Sequence, residues 1–362
     1  MNIKKERIEA AFMLASYLET IGFNNRIWEF NYGITVNNIN TAYKVQTDIM
    51  NDFLSLGGPT HINIMNWKAS DDTIAMIATA KGILNNYKEE YIKVLPLLKQ
   101  DIRASGLTLL SSIEKLKRNQ TIEESTNMGG NGCAMRTMPI GIAFDNEKDI
   151  IINALESSKL THNYYIGYLG GIVSALFSHY AFKGIEPTKW VDKLLSLADN
   201  NIIQKYVEPE HVDDYMKYWR RYKEIKHQHK KPSLEFLMSF NPSKNIQEYV
   251  SKNESLDNKT DIKWNQLGIT GIDSIVVAYD CLMSSKINGN YSWSSFLMLV
   301  SLHIGDSDTT ACMGGFWYGA LLGYNGFDSK KMKQLEFHKA LKSISRKFIE
   351  QFYSGEKLIT LL

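Results

Sequence analysis

Gly305-Asp306-Ser307-Asp308-Thr309-Thr310, running directly into the small, apolar stretch Ala311 to Gly323, is the segment on which the reading of this chain turns. It sets two carboxylates two residues apart, beside hydroxyls, at the expected start of a helix. Hard oxygen atoms on short, stiff stems suit a divalent cation. Such an ion wants about six oxygens and this hexapeptide offers roughly three or four, so a second group must complete the site. Ser70-Asp71-Asp72-Thr73 has the same chemistry and also leads into an apolar helical stretch. Acids at a helix N-terminus are ordinary caps that meet the helix dipole favourably. Capping accounts for one carboxylate on each helix. It leaves the second unexplained, and pairing like charges is costly without a compensating cation.

Working outward, 362 residues with 44% apolar side chains are enough for a substantial core, and a net charge of +2 makes no case for nucleic acid or a membrane surface. Cys133, Cys281 and Cys312 lie far apart with no CxxC pair, which favours a reducing, cytoplasmic setting and argues against a zinc or dithiol site. The N-terminal MNIKKERIEAAFML is basic, then apolar. Glu6, Glu9 and Glu19 interrupt it, so it reads as an amphipathic first helix, and no apolar run approaches the roughly 20 residues that span a bilayer. The expectation is a soluble monomer with neither a membrane nor a nucleic-acid partner.

Most of the chain has helical periodicity. Helices are predicted over 6–21, 41–56, 72–84, 90–98, 107–116, from Tyr165 to Phe182, through Val276 to Leu282, and over 293–303, with a short extended segment from His61 to Trp67. Residues 311–319 carry a small-residue face (Ala311, Gly314, Gly315, Gly319) that lets the helix after Asp308 lie deep against a neighbour. Gly129, Gly130 and Gly132 around Asn131 allow backbone N–H groups to approach a ligand, although a glycine-rich turn into a buried helix explains them equally well. His162 stands just before an apolar helix, where it could contact a ligand or merely cap. From about Lys183 to Asn258 the composition becomes charged and amide-rich, so 183–258 is read as a peripheral insertion or cover on a single domain spanning 1–362.

Four separated motifs then make a resemblance. S-D-D-T (70–73), N-G-C-A-M-R-T-M-P-I-G (131–141), T-H-N-Y-Y-I-G-Y-L-G (161–170) and G-D-S-D-T-T (305–310) together look like the ADP-ribosylglycohydrolases, in motif order and over nearly the whole chain. Trp28, Glu29, Phe30 and the A-Y-D segment at 278–280 resemble the ADP-ribosylarginine hydrolase branch more than the ADP-ribosylserine branch. The resemblance implies an all-α orthogonal multi-helix bundle with a central cleft for two Mg2+ ions, Mn2+ being the alternative. It matches Ser70, Asp71, Asp72, Asp306, Asp308 and Thr309 to metal ligands. Gly106, Thr108, Gly130, Asn131, Gly132 and His162 match positions that hold ADP-ribose, and Glu29 matches an acid on a flap over the scissile bond. The implied reaction is hydrolysis of the N-glycosidic bond between ADP-ribose and a protein side chain, most readily arginine, with Asp71 and Asp72 as proton-handling acids beside Glu29.

Two segments depart from the family pattern. Its G-D-A-x-G appears here as Leu18-Glu19-Thr20-Ile21-Gly22, and Trp264 to Gly271 differs from the arginine branch. Competing readings are a non-catalytic ADP-ribose-binding regulator, a hydrolase of serine-linked or other O-linked ADP-ribose, and a two-metal phosphoesterase. The intact acidic set counts against the first, and the absence of histidines from that set against the last.

Overall fold

The computed structural model describes residues 3–30, 39–228 and 267–353. The described chain is almost wholly helical: α1 (Ile3–Phe23), α2 (Ile39–Ser55), the single turn α3 (Gly58–His61), α4 (Asp71–Leu84), α5 (Tyr87–Leu98), α6 (Leu107–Lys117), α7 (Met138–Ala143), α8 (Glu147–Lys159), α9 (Tyr165–Phe182), α10 (Trp190–Asp199), α11 (Pro209–Gln228), α12 (Asp273–Ser284), α13 (Trp293–Ser301), α14 (Ser307–Leu322) and α15 (His338–Tyr353). A two-residue antiparallel hairpin, Lys286–Ile287 with Asn290–Tyr291, is the one sheet among the described residues. The all-α expectation holds.

Local chemistry sets many helix starts. Ser70 caps α4, Asn86 caps α5, Asn146 caps α8 and Ser292 caps α13, each side-chain oxygen accepting an exposed backbone N–H of the first turn. Pro59 stands in the first turn of α3 and Gly57 enters it with a left-handed φ of 110°, so a helical turn forms where an extended segment was expected to begin. Beyond His61 the chain is irregular. Ile62 and Ile64 are buried there, and the Ile64 N–H is taken by the Gln334 side chain 3.1 Å away instead of by a partner strand.

The predicted small-residue face of α14 packs on α1. A Cβ at Gly315 would come within 2.5 Å of the Leu14 carbonyl oxygen, and one at Gly319 within 2.5 Å of Ala10. Glycine therefore lets the two backbones touch, and α1 and α14 become the buried axis of the molecule. Next to this axis lies an aromatic cluster: Phe177 on α9 meets Trp190, Trp219, Tyr279 and Trp317 at centroid separations of 5.3 to 5.6 Å. The pairs with Trp219 and Trp317 are edge-to-face, and such pairs contribute about 0.5–1.5 kcal/mol each beyond area burial. Trp190 and Trp219 come from the charged 183–228 stretch and are fully buried; the rest of the predicted insertion, 229–258, lies outside the described residues. No described helix is long and apolar enough to cross a membrane.

Candidate active site

The starts of α4 and α14 meet. The Thr309 hydroxyl donates to Asp72 Oδ1 at 3.0 Å, joining segments more than two hundred residues apart, as the composite reading of the sequence expected. The caps separate the two helices. At α4 Ser70 does the capping, its Oγ accepting from the Asp72 N–H at 3.2 Å, so neither Asp71 nor Asp72 is needed as a cap. At α14 Asp306 stands in the cap position but makes no side-chain cap bond; its Oδ2 instead accepts from the Asn131 amide at 2.8 Å. Asp308 uses Oδ1 on the Thr309 N–H, 2.9 Å away. Glu29, on the turn after α1, completes the group: one carboxylate oxygen each from Glu29, Asp306 and Asp308 lie within 4.8 Å of one another. The Phe30 N–H donates to the Gly305 carbonyl oxygen at 3.3 Å and fixes this turn against the α14 entry.

Glu19 was not anticipated. It is the one charged residue between Ala10 and Phe23 of the apolar first helix, a signal readable in the sequence, and it is fully buried. Its Oε1 accepts both the backbone N–H of Ser70 and the Ser70 hydroxyl, the latter at 2.6 Å, while Oε2 accepts the Thr73 hydroxyl at 3.0 Å. The Ser70 oxygen is also 2.8 Å from Asp72 Oδ2. One hydroxyl proton serves only one of these acids at a time, so Glu19 and Asp72 compete for it.

Burial, and then the charge of Asp308, push the Glu19 carboxyl up to about 8 and that of Asp71 up to about 7. The same two causes hold Asp72, Asp306 and Glu29 well above the ordinary carboxylate range, and burial raises Asp308. Among the described residues none of these acids has a lysine or arginine ion-pair partner. A buried, all-oxygen set with surplus negative charge and hydroxyls interleaved is the donor chemistry of a hard divalent cation, and the residues fit one.

The glycine loop forms the adjoining wall. The Asn131 amide bridges Asp306 and the Gly268 carbonyl oxygen, at 2.8 Å each, and its N–H donates to the Ile269 carbonyl oxygen at 3.1 Å. Gly132 must be glycine, since a Cβ there would stand 2.5 Å from His162 Cε1. His162 therefore lies against the loop. Arg136 donates to the Thr161 hydroxyl at 2.9 Å, leaving that hydroxyl free to donate to His162 Nδ1, also 2.9 Å away. Nε2 is the ring nitrogen nearer the glycines. Gly106 reaches the acids through its N–H, 3.4 Å from Asp71 Oδ2. Thr108 lines a cavity of about 440 Å³ with Leu107, Ser125, Asn127 and Met128, and no described hydrogen bond ties its side chain to the acidic group.

Two supports of this wall also escaped the sequence reading. Asp273 accepts from the Gly268 and Thr270 N–H groups and holds the loop against Asn131. His303 accepts the Gly305 N–H at 3.1 Å and contacts the Thr310 hydroxyl at 2.6 Å; burial lowers its pKa to about 4, so it stays neutral under the α14 start.

The sequence model of the ADP-ribosylglycohydrolase family matches residues 20–357. The chain belongs to this family of hydrolases. It is 29% identical over 384 residues to ADP-ribosylhydrolase ARH1 of Dictyostelium discoideum, a match covering 95% of this chain and 94% of that protein. A shorter match, 30% over 141 residues, is to ADP-ribosylhydrolase ARH3 of Xenopus tropicalis and covers 35% of this chain and 40% of that one. The solved structure of an ADP-ribosylglycohydrolase-related protein complex superposes with a TM-score of 0.60 at 14% identity, over 96% of this chain and 98% of that one, a likeness in fold.

Proposed function

We propose that the protein is a metal-dependent ADP-ribosylarginine hydrolase that binds two magnesium ions and reverses mono-ADP-ribosylation of proteins. The observation that carries this reading is the convergence of Glu29, Ser70, Asp71, Asp72, Asp306, Asp308 and Thr309, from three distant segments, on one group whose acids have no lysine or arginine ion-pair partner among the described residues. The arginine branch is supported by the match to an ARH1 over nearly the whole chain, against partial coverage of an ARH3.

Ser70, Asp71, Asp72, Asp306, Asp308 and Thr309 would hold the ions, which when bound supply fixed positive charge that orients ribose hydroxyls and makes a water molecule more acidic. Asp71 and Asp72 would take the proton of a water attacking the anomeric carbon and return it to the departing nitrogen as the C–N bond breaks. Glu29, beside Asp306 and Asp308 and partly exposed, would stabilise the positive charge that grows on the ribose. Asn131 keeps Asp306 in place through its bridge to the 267–271 loop. His162 would present Nε2–H beside Gly130 and Gly132 as a donor to an anionic oxygen of ADP-ribose. Gly106 ties the neighbouring loop to Asp71.

The test is to incubate the purified protein and magnesium with arginine-linked and serine-linked ADP-ribosyl proteins and to measure released ADP-ribose. Release from the arginine-linked substrate alone is the expected result. Release only from the serine-linked one would overturn the branch assignment. Binding of ADP-ribose with release from neither would make the protein a binder.

A further inference from the structure

Ala69 immediately precedes Ser70, and both of its backbone polar groups are held by a single ion pair. Arg103, its side chain 5% exposed, meets Glu336 through two parallel bonds, Nη1 to Oε2 at 2.7 Å and Nη2 to Oε1 at 3.0 Å. Nη1 also donates to the Ala69 carbonyl oxygen at 2.8 Å, and Glu336 Oε2 accepts the Ala69 N–H at 3.1 Å. Glu336 Oε1 takes the Lys68 ammonium at 3.1 Å as well, while the Lys68 N–H goes to the Asn25 side chain at 2.8 Å. Behind the pair, the Arg103 guanidinium lies 5.5 Å from the Phe337 ring centre. Glu19 accepts the next N–H, that of Ser70. The loop that carries Arg103 goes on to Gly106, which reaches Asp71. One guanidinium thus links the approach to Ser70 with the loop touching Asp71.

Planar two-pronged pairing makes an arginine–carboxylate contact directional, unlike an isolated surface pair. Partial burial opposes it, but hydrogen bonds from Arg103, Ala69 and Lys68 keep the Glu336 carboxyl below the usual range, so it is ionised at neutral pH. Contacts that fix both the N–H and the C=O of one residue leave the following cap serine little rotational freedom.

We propose that the Arg103–Glu336 pair is a positioning clamp for the cation-ligand turn Ser70–Asp72, acting through the backbone of Ala69. The proposal rests on reading these acids as cation ligands. It gives a role to two residues that lie outside the acidic group.

Calorimetric titration of the full chain with magnesium tests it, comparing wild type, Glu336→Gln, Arg103→Lys and, as a control on a remote ion pair, Glu186→Ala, which breaks the contact with Lys286. The two clamp variants should bind magnesium about ten-fold more weakly. They should also need about ten-fold more magnesium for half-maximal ADP-ribose release, with kcat returning at saturating metal. Glu186→Ala should lower the melting temperature and leave magnesium affinity unchanged. Wild-type affinity in both clamp variants overturns the proposal. Loss of helical circular dichroism in both overturns it too, making the pair a folding element; if only one is lost, the other decides. A wild-type protein that binds magnesium but releases no ADP-ribose sinks the proposed reaction while the affinities still judge the clamp. One that binds no divalent ion sinks both.

Discussion

The aromatic cluster around Phe177 and the acidic pocket at the starts of α4 and α14 are equally buried, yet burial works in opposite directions in the two. In the cluster every ring gains by leaving water, and Trp190, Trp219 and Trp317 are fully enclosed. In the pocket Glu19, Asp72, Asp306 and Asp308 are enclosed to a similar degree, and each resists ionisation because water has been removed, the charge of Asp308 adding to the effect on the other three. The first region stabilises the fold by itself. The second gathers carboxylates that burial penalises when ionised, a cost that the proposed cations would offset.

The largest break in that contrast should come from Asp72→Ala. With saturating magnesium, ADP-ribose release should fall about a thousand-fold, the rate equivalent of about 4 kcal/mol. Melting of the metal-free protein should meanwhile hold steady or rise, since one repelling carboxylate has gone. Near wild-type release would remove the cation account.

Trp219→Ala should do the reverse. A loss of about 3–5 kcal/mol in denaturant unfolding is expected, with magnesium affinity retained wherever the variant is folded. Glu19→Gln should be milder than either. It keeps the shape of the Ser70 contact and removes charge, so release should drop about ten-fold while the metal-free protein becomes more stable.

A change of pH reads the same contrast in the metal-free protein. Glu19 moves from an ordinary 4.5 to about 8 in the folded chain, and Asp71 from 3.8 to about 7. Between those values the folded protein keeps protons that the unfolded chain has already lost, so the stability contributed by these two groups is fully present below about pH 4 and is lost as pH rises toward 8. Chemical denaturation at stepped pH should show this decline, and saturating magnesium should flatten it.

Much of the site was legible because it is written in short segments. Ser70 to Thr73 and Gly305 to Thr310 each display an excess of acid that capping does not use, and the structure brings them to hydrogen-bonding distance. The small-residue face of α14 was legible for the same reason: close backbone packing leaves a local mark in side-chain size. Contacts made by single residues across the fold leave no such mark. Nothing near Arg103 or Glu336 in the sequence announces that the two meet at Ala69, and Asp273 reads as an ordinary acid at a helix start. Glu19 lies between these cases. Its isolation in an apolar helix was visible, but that its carboxylate would reach Ser70 depends on how α1 docks. The departure from the family's G-D-A-x-G pattern thus retains a buried acid at the α4 start.

The central claim is that two distant acidic helix starts form one cation site. Calorimetric titration with magnesium at neutral pH, on wild type beside Asp308→Asn, tests it most directly. The account predicts two ions per wild-type chain and a loss of at least one when Asp308 is made neutral. No magnesium uptake by the wild type, or equal uptake by both proteins, would contradict it.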